Sequence, residues 1–126
     1  MNYKLLKKEL DIYRKARGWD KNPPVDLAKS VIIEAAEILE HFQWDETLRL
    51  KGTEVSVKDK NLEEISDEIA DVVIYLFALC DQLNVDLVDI TASKLEKVKL
   101  KYPAGINDKD YMKRKMEYRK KRKGAK

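Results

Sequence analysis

Three features of this 126-residue sequence predict an all-α protein, an antiparallel four-helix bundle completed by homo-oligomerisation. Only four glycines and three prolines occur, and long spans lack both, which favours long helices over a turn-rich β fold. Apolar residues recur at i, i+4, i+7 spacing in separate stretches. Short polar breaks join most of those stretches, which is the pattern of antiparallel neighbours.

Residues 2–17 are predicted helical, with Leu5, Leu6, Ile12 and Tyr13 set among charges and Gly18 as the stop. "DKNPP" (20–24) reads as a loop whose prolines suit the first turn of the next helix. The second helix is predicted over residues 25–42, with Val31, Ala35, Ile38, Leu39 and Phe42 as its apolar pattern. Residues 44–60 are polar and broken at Gly52, with room for a short helix at 45–51. The third helix is predicted over 61–83, its face formed by Ile65, Ile69, Val72, Leu76, Leu79 and Leu83. "NVD" (84–86) makes a turn in which Asp86 is a candidate cap. The fourth helix carries Leu87, Ile90, Leu95 and Val98 as far as residue 101, where "YPAGIND" breaks it.

Composition narrows the function classes. The chain is 44% hydrophobic and 39% charged, which is globular rather than disordered. A single cysteine, Cys80, excludes an intrachain disulfide framework and a cysteine zinc site, and fits the reducing cytoplasm. The first 19 residues hold no apolar segment of signal-peptide length, so no signal peptide is expected. The longest apolar run, Val72 to Cys80, is too short to span a bilayer. The net charge of +3 conceals an asymmetry. Residues 109–126 carry ten Lys/Arg against two Asp/Glu, a net of +8, while residues 1–108 carry a net of −5. The expected organisation is therefore an acidic helical domain, 1–108, followed by a basic tail, 109–126.

The second helix poses a chemical question. "IIEAAEILEHFQW" (32–44) is rich in Ile, Leu, Ala and Phe, yet Glu34, Glu37 and Glu40 recur in it at every third residue. Residues three apart on a helix share a surface, so Glu34 and Glu37 point into one space, as do Glu68 and Asp71 on the third helix. If those helices pack antiparallel, both pairs face one cleft. The plain alternative is a set of solvated acids on amphipathic helices. Against it, Ile33 falls between Glu37 and Glu40 at about 100° per residue, so apolar groups flank the acids too. Like charges held that closely repel, and a cation among them offsets the repulsion. All-oxygen donors suit Mg²⁺ or Mn²⁺. His41 is the lone histidine and no Glu-x-x-His occurs, which argues against a di-iron bundle. No glycine-rich phosphate loop is present.

"EAAEILEHFQW", "DEIADVVIYLFALC" and "DLVDITASKLEKVKLKYP", in that order, resemble the MazG-type nucleotide pyrophosphohydrolases, most of all their small dCTP-pyrophosphatase-like branch. The resemblance covers residues 9–103. It implies an oligomeric all-α fold that cleaves nucleoside triphosphates between the α and β phosphates with Mg²⁺, releasing a monophosphate and pyrophosphate. It implies a metal motif of Glu-x-x-Glu followed by Glu-x-x-Asp, which falls here on Glu34, Glu37, Glu68 and Asp71. "EISD" (64–67) also fits the second half. "DVVIY" after Asp71 and the position of Glu68 beside the apolar face favour Glu68 and Asp71, leaving Glu64, Asp67 and Glu40 as outer supports.

Lys94, Lys97 and Lys101 line one face of the fourth helix, as phosphate contacts or as a solvated basic stripe; the resemblance supports Lys94 and Lys101 as phosphate contacts and implies that Trp19 and Trp44 stack on the base. Tyr75 and Tyr102 are expected near base or sugar. Glu37, with Glu34, is the expected acceptor of the attacking water's proton, although a metal-bound hydroxide needs no base. Val98 stands where many relatives carry Asn, which puts the substrate's identity in question. The expected partners are a nucleoside triphosphate and further copies of the chain, as a dimer or a tetramer, with no membrane. The expected role is house-cleaning of the nucleotide pool. The alternative is a non-catalytic helical dimer that binds nucleic acid or an acidic partner through the basic tail.

Overall fold

A computed structural model of the chain describes residues 1–43 and 61–124, and every regular element among them is helical. They fall into two compact units, Met1–Leu87 and Val88–Lys126. Trp44 and the predicted short helix at 45–51 lie outside the described residues.

The first unit begins with α1 (Tyr3–Lys15). Asn2 caps it by accepting from the Leu5 amide at 2.9 Å, and Arg14 and Lys15 close its last turn, where cations suit the helix dipole. Gly18, at φ +70°, makes the left-handed turn that a side chain would disfavour. A single 3₁₀ turn, Trp19–Lys21, follows and leads to α2 (Pro24–Glu40), which opens on proline as expected. α2 ends two residues before its predicted limit, with His41 as its cap. α3 (Leu62–Gln82) starts under Asn61, whose side chain accepts from the amides of Glu63 at 3.1 Å and Glu64 at 3.3 Å.

α2 and α3 form the main packing pair of this unit. His41, at the end of α2, meets Glu68 near the start of α3, whereas Leu27, near the start of α2, shares a cavity wall with Tyr75 and Ala78. The helices therefore run antiparallel. α1 is fastened beside them by polar ties. The Tyr3 hydroxyl donates to Asp86 at 2.8 Å and Lys7 reaches the same carboxylate at 3.4 Å, while the Tyr3 ring stacks on Phe77 at 5.7 Å.

The packed faces differ in detail from the predicted ones. On α2 the residues withdrawn from solvent are Leu27, Ala28, Ser30, Val31, Glu34, Glu37 and Ile38, with His41 at its cap. Ala35 and Leu39, expected inside, are exposed. On α3 the stripe is Ile65, Glu68, Val72, Tyr75, Leu76 and Leu79, while Ile69 and Leu83 are exposed. The reason is that Glu34, Glu37 and Glu68 lie in the helix–helix seam instead of on its border. Rotating each helix to bring them inward turns part of its apolar surface out. Buried apolar side chains among the described residues are then few: Leu27, Ile65, Ala78 and Cys80.

In the second unit α4 (Leu87–Lys101) is followed by Gly105 in a left-handed turn and by α5 (Asp108–Gly124). The basic stretch expected to form a tail is thus helical over most of its length. Its signals are local: Asn107 accepts from the Asp110 amide at 2.9 Å, Asp108 and Asp110 occupy the first turn, and Lys121, Arg122 and Lys123 the last. α4 and α5 are joined by stacking of Tyr102 on Tyr111 at 4.5 Å and by Arg114, which donates to the Lys101 carbonyl at 3.0 Å. Lys101 Nζ also lies 3.6 Å from the centre of the Tyr118 ring. No helix among the described residues is long and apolar enough to cross a membrane.

Candidate active site

The antiparallel seam of α2 and α3 brings four predicted carboxylates together. Glu34 and Glu37, one turn apart, are half-buried and within hydrogen-bond reach of each other. Partial burial pushes the Glu34 carboxyl above its ordinary range, and the charges of Glu37, Asp71 and Glu68 push it further in the same direction. Glu68 is half-buried in the seam and Asp71 lies at its edge, more exposed. Glu40, Glu64 and Asp67 are exposed. The α3 carboxylates whose charge acts on Glu34 are therefore Glu68 and Asp71.

Glu68 Oε2 is buried and receives no aligned hydrogen bond, although His41 Nε2 stands 2.7 Å away. The contact has ion-pair distance without hydrogen-bond alignment, and its strength depends on protonation of the imidazole. His41 was not among the predicted site residues. Its spacing of four from Glu37 places it on the same stripe of α2, which is the signal that reaches it.

Among the described residues no three His, Cys, Asp or Glu side chains close on a single metal-binding point. The donor chemistry nevertheless fits a hard divalent cation. All four groups are carboxylates, and one buried oxygen lacks an aligned donor.

Asp71 also belongs to the wall of a neighbouring cavity of about 350 Å³ in the same unit. Trp19 and Tyr75, two of the predicted base- or sugar-binding residues, line it together with Tyr13, Asn22 and the apolar Leu27 and Ile74. The aromatic wall is held in place from behind. Trp19 sits edge-to-face on Tyr13 at 5.9 Å, and Arg17 covers the Tyr13 ring at 3.6 Å. Arg14 donates to the Trp19 carbonyl at 3.0 Å and pairs with Asp81 at 3.4 Å, and Gln82 donates to the Asp20 carbonyl. Arg14 is 6% exposed, the one buried charged residue among those described. Neither Arg14 nor Asn22 was anticipated: a lone arginine in a charged first helix and an asparagine in a loop carry no periodic signal.

Lys94, Lys97, Lys101 and Tyr102 lie in the second unit, where they line a larger cavity between α4 and α5. Trp44 is outside the described residues.

A model of the MazG-like family matches residues 29–118, most of the chain, from α2 into α5. The chain belongs to the MazG-like family. The match extends beyond residue 103, where the resemblance carried by the motifs ends, into the basic helix. Among curated proteins, this MazG-like chain is 29% identical over 92 residues to dCTP pyrophosphatase 1 of Rattus norvegicus, covering 72% of this chain and 53% of the relative. It is 30% identical over 91 residues to dCTP pyrophosphatase 1 of Homo sapiens, covering 71% of this chain and 52% of the relative. The chain thus spans about half the length of the curated relatives it matches. Among solved structures, a pyrophosphatase from Archaeoglobus fulgidus superposes with a TM-score of 0.69 at 39% identity, over 79% of this chain and 91% of that one.

Proposed function

We propose that this MazG-like protein is a nucleoside triphosphate pyrophosphohydrolase that cleaves between the α and β phosphates. It acts as a cytoplasmic homo-oligomer, a dimer or a tetramer, and removes unwanted nucleotides from the pool. The observation that carries this reading is the grouping of four carboxylates, two from each of two facing helices, one of which, Asp71, also lines a cavity walled by Trp19 and Tyr75. The names of the pyrophosphatases to which the chain is similar support the same chemistry.

Glu34, Glu37, Glu68 and Asp71 are the residues that would hold a divalent cation, Mg²⁺ with Mn²⁺ as substitute. When bound, the cation supplies charge neutralisation for the polyphosphate and acidifies water. Glu37 takes the proton of the attacking water in this reading, with Glu34 beside it as the alternative acceptor. Glu68 is fixed by the seam and by His41, whose Nε2 stands 2.7 Å from its buried Oε2. Trp19 and Tyr75 offer ring faces to a base, which gives affinity with little discrimination, and Asn22 is the polar group in the wall able to choose between base edges. Lys94, Lys97 and Lys101, with Tyr102 and Trp44, remain candidate nucleotide contacts in this reading on the strength of the sequence pattern alone. Glu40, Glu64 and Asp67 serve as outer charges.

The exposed apolar surface of α2 supports the oligomer. Val25, Ile32 and Leu39 are 59%, 69% and 58% exposed and recur every seventh residue, on the side away from α3.

The test is a panel of canonical and damaged (deoxy)nucleoside triphosphates with Mg²⁺, followed by phosphorus NMR of the products. Monophosphate and pyrophosphate are expected from at least one member, with turnover lost in Glu37→Gln. Diphosphate and orthophosphate, or no turnover across the panel, would refute the reading.

A further inference from the structure

The second unit presents a surface that triphosphate hydrolysis accounts for only in part: Lys94, Lys97, Lys101 and Tyr102 are its candidate nucleotide contacts, whereas Tyr111, Lys115, Tyr118, Arg119 and Arg122 have no part in it. The cavity between α4 and α5 measures about 640 Å³. Six cations line it: Lys94, Lys97 and Lys101 from α4, and Lys115, Arg119 and Arg122 from α5. Among the described residues no acidic side chain is in its wall. Cations gathered this way repel one another, and a polyanion is the ligand that relieves the repulsion.

The cations are interleaved with three aromatic rings, Tyr102, Tyr111 and Tyr118. Tyr111 is 38% exposed and Tyr118 is 47% exposed, so each keeps ring surface open beyond its contacts with Tyr102 and Lys101. At a rise of ~1.5 Å per residue, the lining of α5 from Tyr111 to Arg122 extends about 16 Å, and that of α4 from Lys94 to Lys101 about 10 Å. That is longer than one pyrophosphate group spans. Cations along a track serve phosphates, and rings beside the track serve unstacked bases.

We propose that the α4–α5 groove is a binding site for single-stranded nucleic acid, distinct in function from the carboxylate site. A bare polyphosphate would use the cations and leave the rings idle. A duplex would cover its own bases. The proposal stands on the second unit alone and does not depend on the pyrophosphohydrolase reading.

The experiment is fluorescence anisotropy with the full chain and a labelled thymidine oligomer of about 12 nucleotides, across a salt series. Binding is expected to weaken steeply with salt. The double variant K115E/R119E, whose residues have no part in the proposed hydrolysis, should lose at least about tenfold affinity and flatten the salt slope by roughly 0.7 per cation removed. K120E/K123E makes the same charge change on α5 outside the groove, and should lose much less. Should K115E/R119E lose helicity by circular dichroism, R122E carries the same comparison. Inorganic polyphosphate and a duplex of equal length should each compete at least about tenfold less well than the single strand. Equal losses in the two double variants would reduce the effect to diffuse tail charge and overturn the proposal. So would absence of oligomer binding by the parent, or equal competition by polyphosphate or duplex.

Discussion

At the scale of single residues, the protein places charge where burial disfavours it. The Glu34 carboxyl is raised above its ordinary 4.5 by burial first and by Glu37, Asp71 and Glu68 after that. The folded chain therefore binds that proton more tightly than the unfolded chain. Stability linked to Glu34 is fullest below about pH 4.5 and is lost as pH rises through the raised value. Glu34→Gln removes the loss. In the absence of divalent ions its Tm at pH 7 should exceed the parent's by roughly 1–3 °C, a gain that shrinks to nothing near pH 4. Thermal melts followed by circular dichroism at both pH values check the sign, and a lower Tm at pH 7 would contradict it. Arg14 works in the opposite sense, as a buried cation fully engaged by Asp81 and the Trp19 carbonyl. Breaking a buried pair costs about 3–5 kcal/mol when the orphaned charge stays buried. Asp81 is 41% exposed and can turn to water, so Arg14→Met should cost only about 1–3 kcal/mol in a urea titration. Its larger effect should fall on KM, through a loosened Trp19, with kcat changed less.

At the scale of elements, the sequence carried most of the information but not its orientation. The boundaries of α1, α2, α3 and α4 fall within a few residues of those expected, because glycine, proline and asparagine mark their ends. Two three-residue spacings pointed to acidic pairs on α2 and α3, but spacing alone also fitted Glu64 and Asp67, and the choice of Glu68 and Asp71 needed "DVVIY" and the position of Glu68 beside the apolar face. The faces were not. The α2 pattern has an apolar stripe on each side, and periodicity alone cannot say which one meets α3. The acids chose for it: His41, Glu37, Glu34 and Leu27 turn toward α3, while Ile32 and Leu39 turn away. α5 was read as a basic tail because its charge density hides the helix signals at Asn107 and Asp110. The turn at Gly18 tests how firmly the Trp19 wall depends on its neighbours. No atom lies within 4 Å of where a Cβ would stand, so Gly18→Ala suffers only the left-handed backbone conformation. The expected loss is about 1 kcal/mol in a denaturant titration, with weaker nucleotide binding in proportion to the shift of the aromatic wall.

At the scale of the whole molecule, few apolar side chains among the described residues are buried and many Ile, Leu and Val side chains are exposed. The second apolar stripe of α2 accounts for this if another copy covers it. Ile32→Lys combined with Leu39→Lys should shift the sedimentation coefficient to that of a single chain and lower Tm, since both side chains stand on that stripe and neither touches the carboxylate seam. An unchanged sedimentation coefficient would move the subunit contact elsewhere. The central claim, however, concerns the seam: two acidic helix turns acting together on one divalent cation. Its most direct measurement is electron paramagnetic resonance of Mn²⁺ bound in the presence of a triphosphate analogue with a non-cleavable α–β bridge, which reports binding without turnover. Parent protein should bind Mn²⁺ at a stoichiometric site, and both Glu37→Gln on α2 and Glu68→Gln on α3 should abolish that signal. Binding of parent strength in either variant would contradict a site shared between the two helices.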